Sequence, residues 1–186
     1  MRILIIGAGE VGYSLAGHLA SEKLDVMVIE TDPGRCRQVQ ENLDIQVLCG
    51  NGASPRLLEA AGVGGVDMFL AVTSSDEVNM VACRNVAALA PKTHRICRVR
   101  GMDYIDHLEE YGLNEMGIHR LINPERVAAR RILRMLQVPA AQDVRDFAGG
   151  RVRLIAFRIE PGAPAAGKML KEIAREQARD VGLVVA

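Results

Sequence analysis

The sequence predicts an α/β protein with a doubly wound, mostly parallel sheet, and three observations support this fold class. Short apolar segments alternate with amphipathic segments along most of the 186 residues. A glycine-rich turn joins the first apolar segment to the first amphipathic one. Polar residues cluster directly after several apolar segments, where the carboxyl ends of parallel strands share one edge of the sheet.

The glycine-rich turn follows a predicted strand at residues 3–6 and consists of Gly7, Ala8, Gly9, Glu10, Val11 and Gly12. This spacing fits the G-x-G-x-x-G fingerprint of the Rossmann-like fold that binds dinucleotides. Gly7 permits a tight turn, Gly9 lets the backbone approach a pyrophosphate, and Gly12 lets the helix pack closely on the strand. The helix that follows directs unpaired N–H groups at the phosphates.

A second predicted strand, at residues 26–29, leads into Glu30, Thr31 and Asp32. Glu30 lies about 20 residues beyond the glycines, where this fold places a carboxylate on the ribose hydroxyls. The alternative is a solvated carboxylate at a strand end. The order of strand, glycines, helix, strand and acid favours the ribose contact. Asp32 and Pro33 predict the N-cap and first residue of the next helix.

Further strands are predicted at residues 45–49, 69–72, 96–99 and 119–122, with helices between them. The residues expected at the ligand edge of this sheet are Asn51, Gly52, Thr73, Ser74 and Arg98. Asn51 could equally be a left-handed loop residue, and Thr73 and Ser74 could be N-caps of the helix at 76–89. Arg98 suits a phosphate contact. Arg100 is expected to face the same way on the same strand, with a solvated edge as the alternative.

Composition excludes several classes of function. The 23 basic and 23 acidic residues cancel, so nothing indicates a nucleic-acid partner. No apolar stretch approaches the roughly 18 residues needed to span a bilayer, and no secretion signal is visible, so we expect a cytoplasmic protein. The cysteines have no C-x-x-C spacing, which favours buried reduced thiols over a zinc site or a redox pair, and no metal site is predicted; they are Cys36, Cys49, Cys83 and Cys97.

An NAD-dependent oxidoreductase is the alternative function, since the same fold hosts dehydrogenases. Hydride transfer needs an acid or base near the nicotinamide. The sequence contains no Tyr-x-x-x-Lys, G-x-S-x-G or H-E-x-x-H motif, and no DNA-binding module is visible. We expect structural roles for the histidines, which are His18, His94, His107 and His119. A binding protein without catalytic residues is therefore favoured over an enzyme.

A helix is predicted at residues 124–137, with Asn123 as its cap and apolar residues between arginines. It is either a terminal core helix or a helix that packs on another subunit.

Residues 1–138 are predicted to form the nucleotide-binding domain. Residues 139–186 are predicted as a linker and the beginning of a small α/β domain, with a strand at 152–159, a helix at 168–178 and a strand at 181–185. The last strand has no turn after it, which suggests a truncated domain.

These motifs resemble the regulator-of-potassium-conductance domains, also called RCK or KTN domains. GAGEVG, VIETD, GNGASP with LLEAAG, AVTSSDEVNMVAC, ICRVR and INPE recur in that family in this order, and AVTSSDEVNMVAC is the most specific. The resemblance covers most of the chain. It implies a regulatory subunit, not an enzyme, that forms dimers or tetramers at the cytoplasmic face of a membrane potassium transporter.

The resemblance also implies a ligand, NAD(H), with ATP or ADP in some members. Residues 7–11 would surround the pyrophosphate, Glu30 would bind the adenosine ribose, Thr73 and Ser74 would line the cleft, and Arg98 would meet the second half of the ligand. Many members have Asp where this chain has Glu30. In members that prefer ATP or ADP, an acidic residue matching Glu125 can take part in a metal site, but the spacing here establishes none.

Overall fold

The structure is a computed structural model that describes residues 1–137, 141–147, 151–164, 166–169 and 171–172. The chain divides into two compact units, Met1–Arg126 and the described residues from Val127 onward. The predicted strand at 181–185 and most of the predicted helix at 168–178 lie outside the described residues, and the predicted boundary at residue 138 stays a prediction. No helix among the described residues is long and apolar enough to cross a membrane.

The first unit alternates strands with helices, as predicted. Its elements are β1 (Arg2–Ile6), α1 (Glu10–Ser21), β2 (Asp25–Glu30), α2 (Pro33–Asn42), β3 (Gln46–Cys49), α3 (Pro55–Ala60), β4 (Met68–Ala71), α4 (Asp76–Leu89), β5 (His94–Arg98), α5 (Met102–Tyr111) and β6 (Arg120–Ile122). Two short 3-10 helices, Val63–Gly65 and Leu113–Met116, precede β4 and β6, and α6 (Pro124–Gln137) follows β6.

The six strands form one parallel sheet in the order β3-β2-β1-β4-β5-β6. The strand order reverses between β1 and β4, which makes this the doubly wound arrangement that the sequence predicts. Both faces of the sheet are covered. Leu4 and Ile6 pack with residues of α3, α4 and α5, whereas Ile3 and Ile5 pack with residues of α1 and α2. Polar side chains therefore collect at the strand ends, because neither face has room for them.

Gly12 allows α1 to pack against the end of β1. A Cβ atom at this position would lie 1.9 Å from the carbonyl oxygen of Gly7 and 3.2 Å from Cγ2 of Val72. The first contact is with backbone, which cannot move without shifting the whole turn. This close approach is the packing role predicted for Gly12.

The second unit contains an antiparallel pair, β7 (Ala141–Phe147) and β8 (Val152–Phe157). The sequence predicts β8 but not β7. In β7 the apolar residues are interrupted by Asp143, Arg145 and Asp146, so its period-2 pattern is weak without its partner strand. The β7 segment is recognisable as a strand only once its pairing with β8 is known.

The prediction that all cysteines are reduced thiols is wrong for Cys36 and Cys49. These two form a disulfide with their Cα atoms 6.1 Å apart, while Cys83 and Cys97 are free and buried. Cys49 is the sheet partner of Glu30, and Cys36 lies in the first half of α2, which follows Glu30. The pair therefore meets through the sheet register. The two cysteines are 13 residues apart in the sequence, and this spacing matches no motif that predicts a disulfide.

The close approach at Gly12 predicts that Gly12→Ala lowers the free energy of unfolding by at least about 3 kcal/mol, since the added methyl overlaps backbone. Gly17→Ala is the matched control on the same helix. Its Cβ would meet Cδ2 of Leu43 at 3.5 Å, an ordinary contact. That variant should be unchanged or more stable by up to about 1 kcal/mol, because alanine favours helix. Denaturant unfolding of both variants measures the difference, and equal stabilities would contradict the packing role.

Candidate functional site

A cleft of about 590 Å³ opens at the carboxyl edge of the sheet, where the strand order reverses. This volume falls in the range of small-molecule sites. Eleven of the fourteen predicted site residues line it, and they are Gly7, Gly9, Glu10, Val11, Glu30, Thr31, Asn51, Gly52, Thr73, Ser74 and Arg98. The fold thus brings five separate segments to one place.

The other three predicted residues support the cleft without lining it. The N–H group of Ala8 donates to Oε2 of Glu30 at 2.5 Å. Gly12 packs under the turn, and Oδ1 of Asp32 accepts from the N–H of Arg35 at 2.8 Å as the N-cap of α2. Their roles are to shape the turn and to start the helix.

The glycine turn leaves hydrogen-bond donors at the cleft. Gly7 has φ +92°, and a Cβ there would lie 2.8 Å from Cα of Thr73, so a side chain is excluded where the ends of β1 and β4 pass each other. Gly9 is the N-cap of α1 and has no side chain to accept from the first N–H groups of the helix. No side chain caps those groups within the part of the chain that the structure describes, and unpaired N–H groups at a helix N-terminus are an arrangement that binds anions.

Glu30 is buried and its carboxylate accepts several hydrogen bonds, so the alternative of a solvated carboxylate is wrong. Oε1 accepts from the N–H of Thr31 at 2.7 Å, the N–H of Asp32 at 2.9 Å and the hydroxyl of Thr31 at 3.1 Å. Oε2 accepts from Ala8. Burial by itself would raise the pKa of Glu30, but hydrogen bonds from Asp32, Ala8 and Thr31 outweigh it and lower the pKa below its ordinary value. The carboxylate is therefore anionic at neutral pH.

Neither Thr73 nor Ser74 is the N-cap of α4, which is instead Ser75, whose Oγ accepts from the N–H of Val78 at 3.2 Å. The N–H and hydroxyl of Thr73 both donate to Oδ1 of Asn79, at 2.9 and 2.7 Å. The fully buried Asn79 in turn donates to the carbonyls of Thr73 and Arg98. Asn79 was not predicted as a site residue, although it lies in the most specific motif.

Arg98 and Arg100 do not face the same way, because β5 ends at Arg98. Arg98 lines the cleft and donates from Nη2 to Oε1 of Glu125 at 2.5 Å, while its buried Nε has no hydrogen-bond partner among the described residues. Arg100 instead donates to the carbonyl of Ser74 and lies 3.9 Å from Oδ1 of Asp76. The two arginines therefore have different roles.

Asn51 is not a left-handed residue, since Lys23 is the non-glycine residue with positive φ in the described part of the chain. Its Oδ1 accepts from the N–H of Ala53 at 2.9 Å, which fixes the turn after β3.

The cleft also contains lining residues that were not predicted, namely Ile29, Arg35, Gly50, Val72, Ser75 and Val78. Arg35 was predictable in principle, because α2 starts directly beyond Glu30 and its first turn lies at the same edge.

The described part of the cleft contains few groups that can exchange a proton. Its charged side chains are Glu10, Glu30, Arg35 and Arg98, and none of the four histidines lines it. His94 and His119 stack on each other with ring centroids 4.9 Å apart, and burial followed by the nearby charge of Arg95 lowers the pKa of His119. Among the described residues, no group of three or more His, Cys, Asp or Glu is arranged to bind a metal ion.

Residues 3–124 match the TrkA-N domain family. The chain belongs to this family. The Trk system potassium uptake protein TrkA of Halomonas elongata is 40% identical over 170 residues, which cover 91% of this chain and 37% of that protein. A TrkA homolog of Archaeoglobus fulgidus is 39% identical over 175 residues, which cover 93% of this chain and 39% of that protein. The chain thus spans less than two fifths of the length of these relatives.

Solved structures of the TrkA-N and RCK type share the fold. The TrkA-N domain of the inner membrane protein ybaL from Escherichia coli has a TM-score of 0.65 at 22% identity and covers 73% of this chain and 96% of its own. The GsuK channel bound to NAD has a TM-score of 0.65 at 20% identity and covers 95% of this chain and 31% of its own. These structures confirm the predicted fold class, whereas the TrkA-N match and the identity to the TrkA relatives confirm the predicted family.

The hydrogen bonds of Glu30 predict a pH-dependent contribution to stability. A carboxyl whose pKa is lowered by folding stabilises the protein above its unfolded pKa, near 4.5, and loses that contribution as pH falls through the lower folded value. We expect Glu30→Gln to be destabilised at pH 7 by about 1–3 kcal/mol, because backbone donors lose their acceptor. The difference between parent and variant should shrink below pH 4.5 in denaturant unfolding. A constant difference across that range would show that the carboxylate charge is not responsible.

Proposed function

We propose that this chain is the nucleotide-binding part of a regulatory subunit of a Trk-type potassium uptake system, and that it binds NAD(H) in the cleft. The observation that supports this proposal most is the position of the cleft, which lies at the strand-order reversal and is lined by the glycine turn and by Glu30. Membership of the TrkA-N family supports the transport context. NAD and ADP are bound by GsuK, so ADP and ATP are the alternative ligands for this chain.

In this proposal the ligand spans the cleft from Glu30 to Arg98. The pyrophosphate lies at the N-terminus of α1, where Gly9 leaves N–H groups unpaired. The adenosine ribose lies at Glu30, and its hydroxyls donate to Oε2, which receives one hydrogen bond where Oε1 receives three. Thr73 and Ser74 line the middle, and Arg98 meets the distal half.

Regulation without catalysis fits the residues that line the cleft better than the oxidoreductase alternative does. A dehydrogenase positions a proton donor or acceptor near the nicotinamide. The described cleft residues include no histidine, tyrosine or lysine, and the carboxylate of Glu30 is engaged by backbone donors. We therefore assign the chain a binding role. Membership of the TrkA-N family supports a place at the cytoplasmic face of the membrane, and the balanced charge gives no support for a nucleic-acid partner.

The position of Glu30 predicts that NADH binds more than tenfold tighter than NADPH, a difference of about 1.4 kcal/mol. A 2′-phosphate would place an anion against the carboxylate where NADH places a hydroxyl. Calorimetry with NADH, NADPH, ADP and ATP gives the four dissociation constants. With a broad panel of carbonyl substrates added as hydride acceptors, the NADH absorbance should stay constant, which checks for turnover. Equal constants for NADH and NADPH would contradict the ribose assignment.

We further propose that α6 is a subunit-contact helix through which a dimer or tetramer forms and nucleotide binding reaches a membrane potassium-transporter subunit. The helix presents an exposed apolar surface made of Val127, Ile132, Leu133, Met135 and Leu136, with Leu136 69% exposed. Side chains of this kind in one helix are typical of a protein interface. A ligand can shift the arrangement of subunits only if it binds one arrangement better than another.

Placing charge on this surface tests the proposal for α6. Leu133→Glu with Leu136→Glu should lower the oligomer mass in light scattering and abolish the response of potassium uptake to nucleotide, measured in the full-length protein. Arg130→Gln with Arg131→Gln is the matched control, since it changes the net charge equally and leaves the apolar residues intact. If the Leu double variant keeps its mass and its nucleotide response, α6 is a core helix and the coupling follows another route.

A further inference from the structure

The guanidinium group of Arg35 lies beside the glycine turn and has no protein partner among the described residues. Its Nη1 atom is 3.8 Å from the position that a Cβ on Gly9 would occupy, and Arg35 lines the cleft. The guanidinium makes no hydrogen bond or ion pair among the described residues. The backbone N–H of Arg35, by contrast, donates to Oδ1 of Asp32. An arginine that is exposed, has no partner among the described residues and lies beside the N-terminus of α1 can bind an anion together with the helix N–H groups.

The charges of the cleft single out Arg35. The lining residues include two anions, Glu10 and Glu30, and two cations, Arg35 and Arg98. Arg98 already has a counter-ion in Glu125 at 2.5 Å. Arg35 is therefore the cation in the described cleft that lacks one, and it lies where the backbone supplies only neutral donors.

The backbone of Arg35 is fixed on two sides. Asp32 caps the first turn of α2 through the N–H of Arg35. The next residue, Cys36, is joined to Cys49 at the end of β3 by the disulfide. A cation on a fixed backbone loses less conformational freedom when it binds an anion than one on a mobile loop.

We propose that Arg35 is a specificity-determining residue that binds the diphosphate of the ligand, opposite the N–H groups of α1. It would let the site discriminate diphosphate-containing nucleotides from nucleosides, because a planar guanidinium donates two parallel hydrogen bonds to phosphate oxygens. This inference rests on the proposed function. It adds a positive charge beside the glycine turn, which itself supplies only neutral N–H donors. The ribose contact at Glu30 and the distal contact at Arg98 are independent of it.

The test compares ADP with adenosine in calorimetry, on the parent chain and on Arg35→Ala. We expect the variant to bind ADP about ten- to a hundredfold more weakly and adenosine within twofold of the parent. Arg35→Lys should fall between the two, since an ammonium retains the charge but not the paired donors. Arg37→Ala is the matched control, because Arg37 is an exposed arginine of the same helix that does not line the cleft. It should match the parent with both probes.

Three outcomes would overturn the inference. Unchanged ADP affinity in Arg35→Ala removes the phosphate contact. An equal loss of ADP and adenosine affinity indicates adenine stacking or a structural role. Inorganic pyrophosphate is the third probe, and it separates this inference from the proposed function. If the parent binds pyrophosphate but no nucleotide, the proposed function fails, and the loss of pyrophosphate binding in Arg35→Ala still supports Arg35; retention of that binding overturns it.

Discussion

The buried carboxylate of Glu30 is the interaction on which the cleft depends. It accepts from the backbone of Ala8, Thr31 and Asp32, which belong to the glycine turn and to the segment between β2 and α2. A buried acceptor with this many donors is costly to remove, because each N–H loses its partner inside the protein. The carboxylate therefore sets the shape of the turn before any ligand binds. Its proposed ribose contact uses the capacity that remains on Oε2.

Asn79 performs the corresponding task on the opposite wall. Its amide makes four hydrogen bonds, two accepted from Thr73 and two donated to the carbonyls of Thr73 and Arg98. All donors and acceptors of this amide are thus satisfied in a fully buried position. The turn after β4 is consequently tied to the end of β5. Buried side chains that each make several hydrogen bonds therefore position both the glycine turn and the turn after β4, which favours a preorganised site.

The sequence predicted the features that local patterns encode. The periodicity and caps gave α4 as Asp76–Leu89 and α6 as Pro124–Gln137, and the alternation of elements gave the sheet. Features that depend on which segments become neighbours were missed or wrong. The Cys36–Cys49 pair follows from the register of β2 and β3, and the divergence of Arg98 from Arg100 follows from where β5 stops. Residue spacing in the sequence predicts neither the disulfide nor the divergence of the two arginines.

The ion pair between Arg98 and Glu125 gives the cleft a direct connection to the first turn of α6. Glu125 is half exposed, and its own backbone N–H, followed by Arg98 and Arg100, lowers its pKa, so the pair is charged at neutral pH. A pair this exposed contributes about 1 kcal/mol or less. A ligand that accepts hydrogen bonds from Arg98 must share the guanidinium with Glu125 or displace it. The pair thus reaches only the lower end of typical coupling free energies of about 1–3 kcal/mol, so in the proposed function it would supply a small part of any coupling between the cleft and the start of α6.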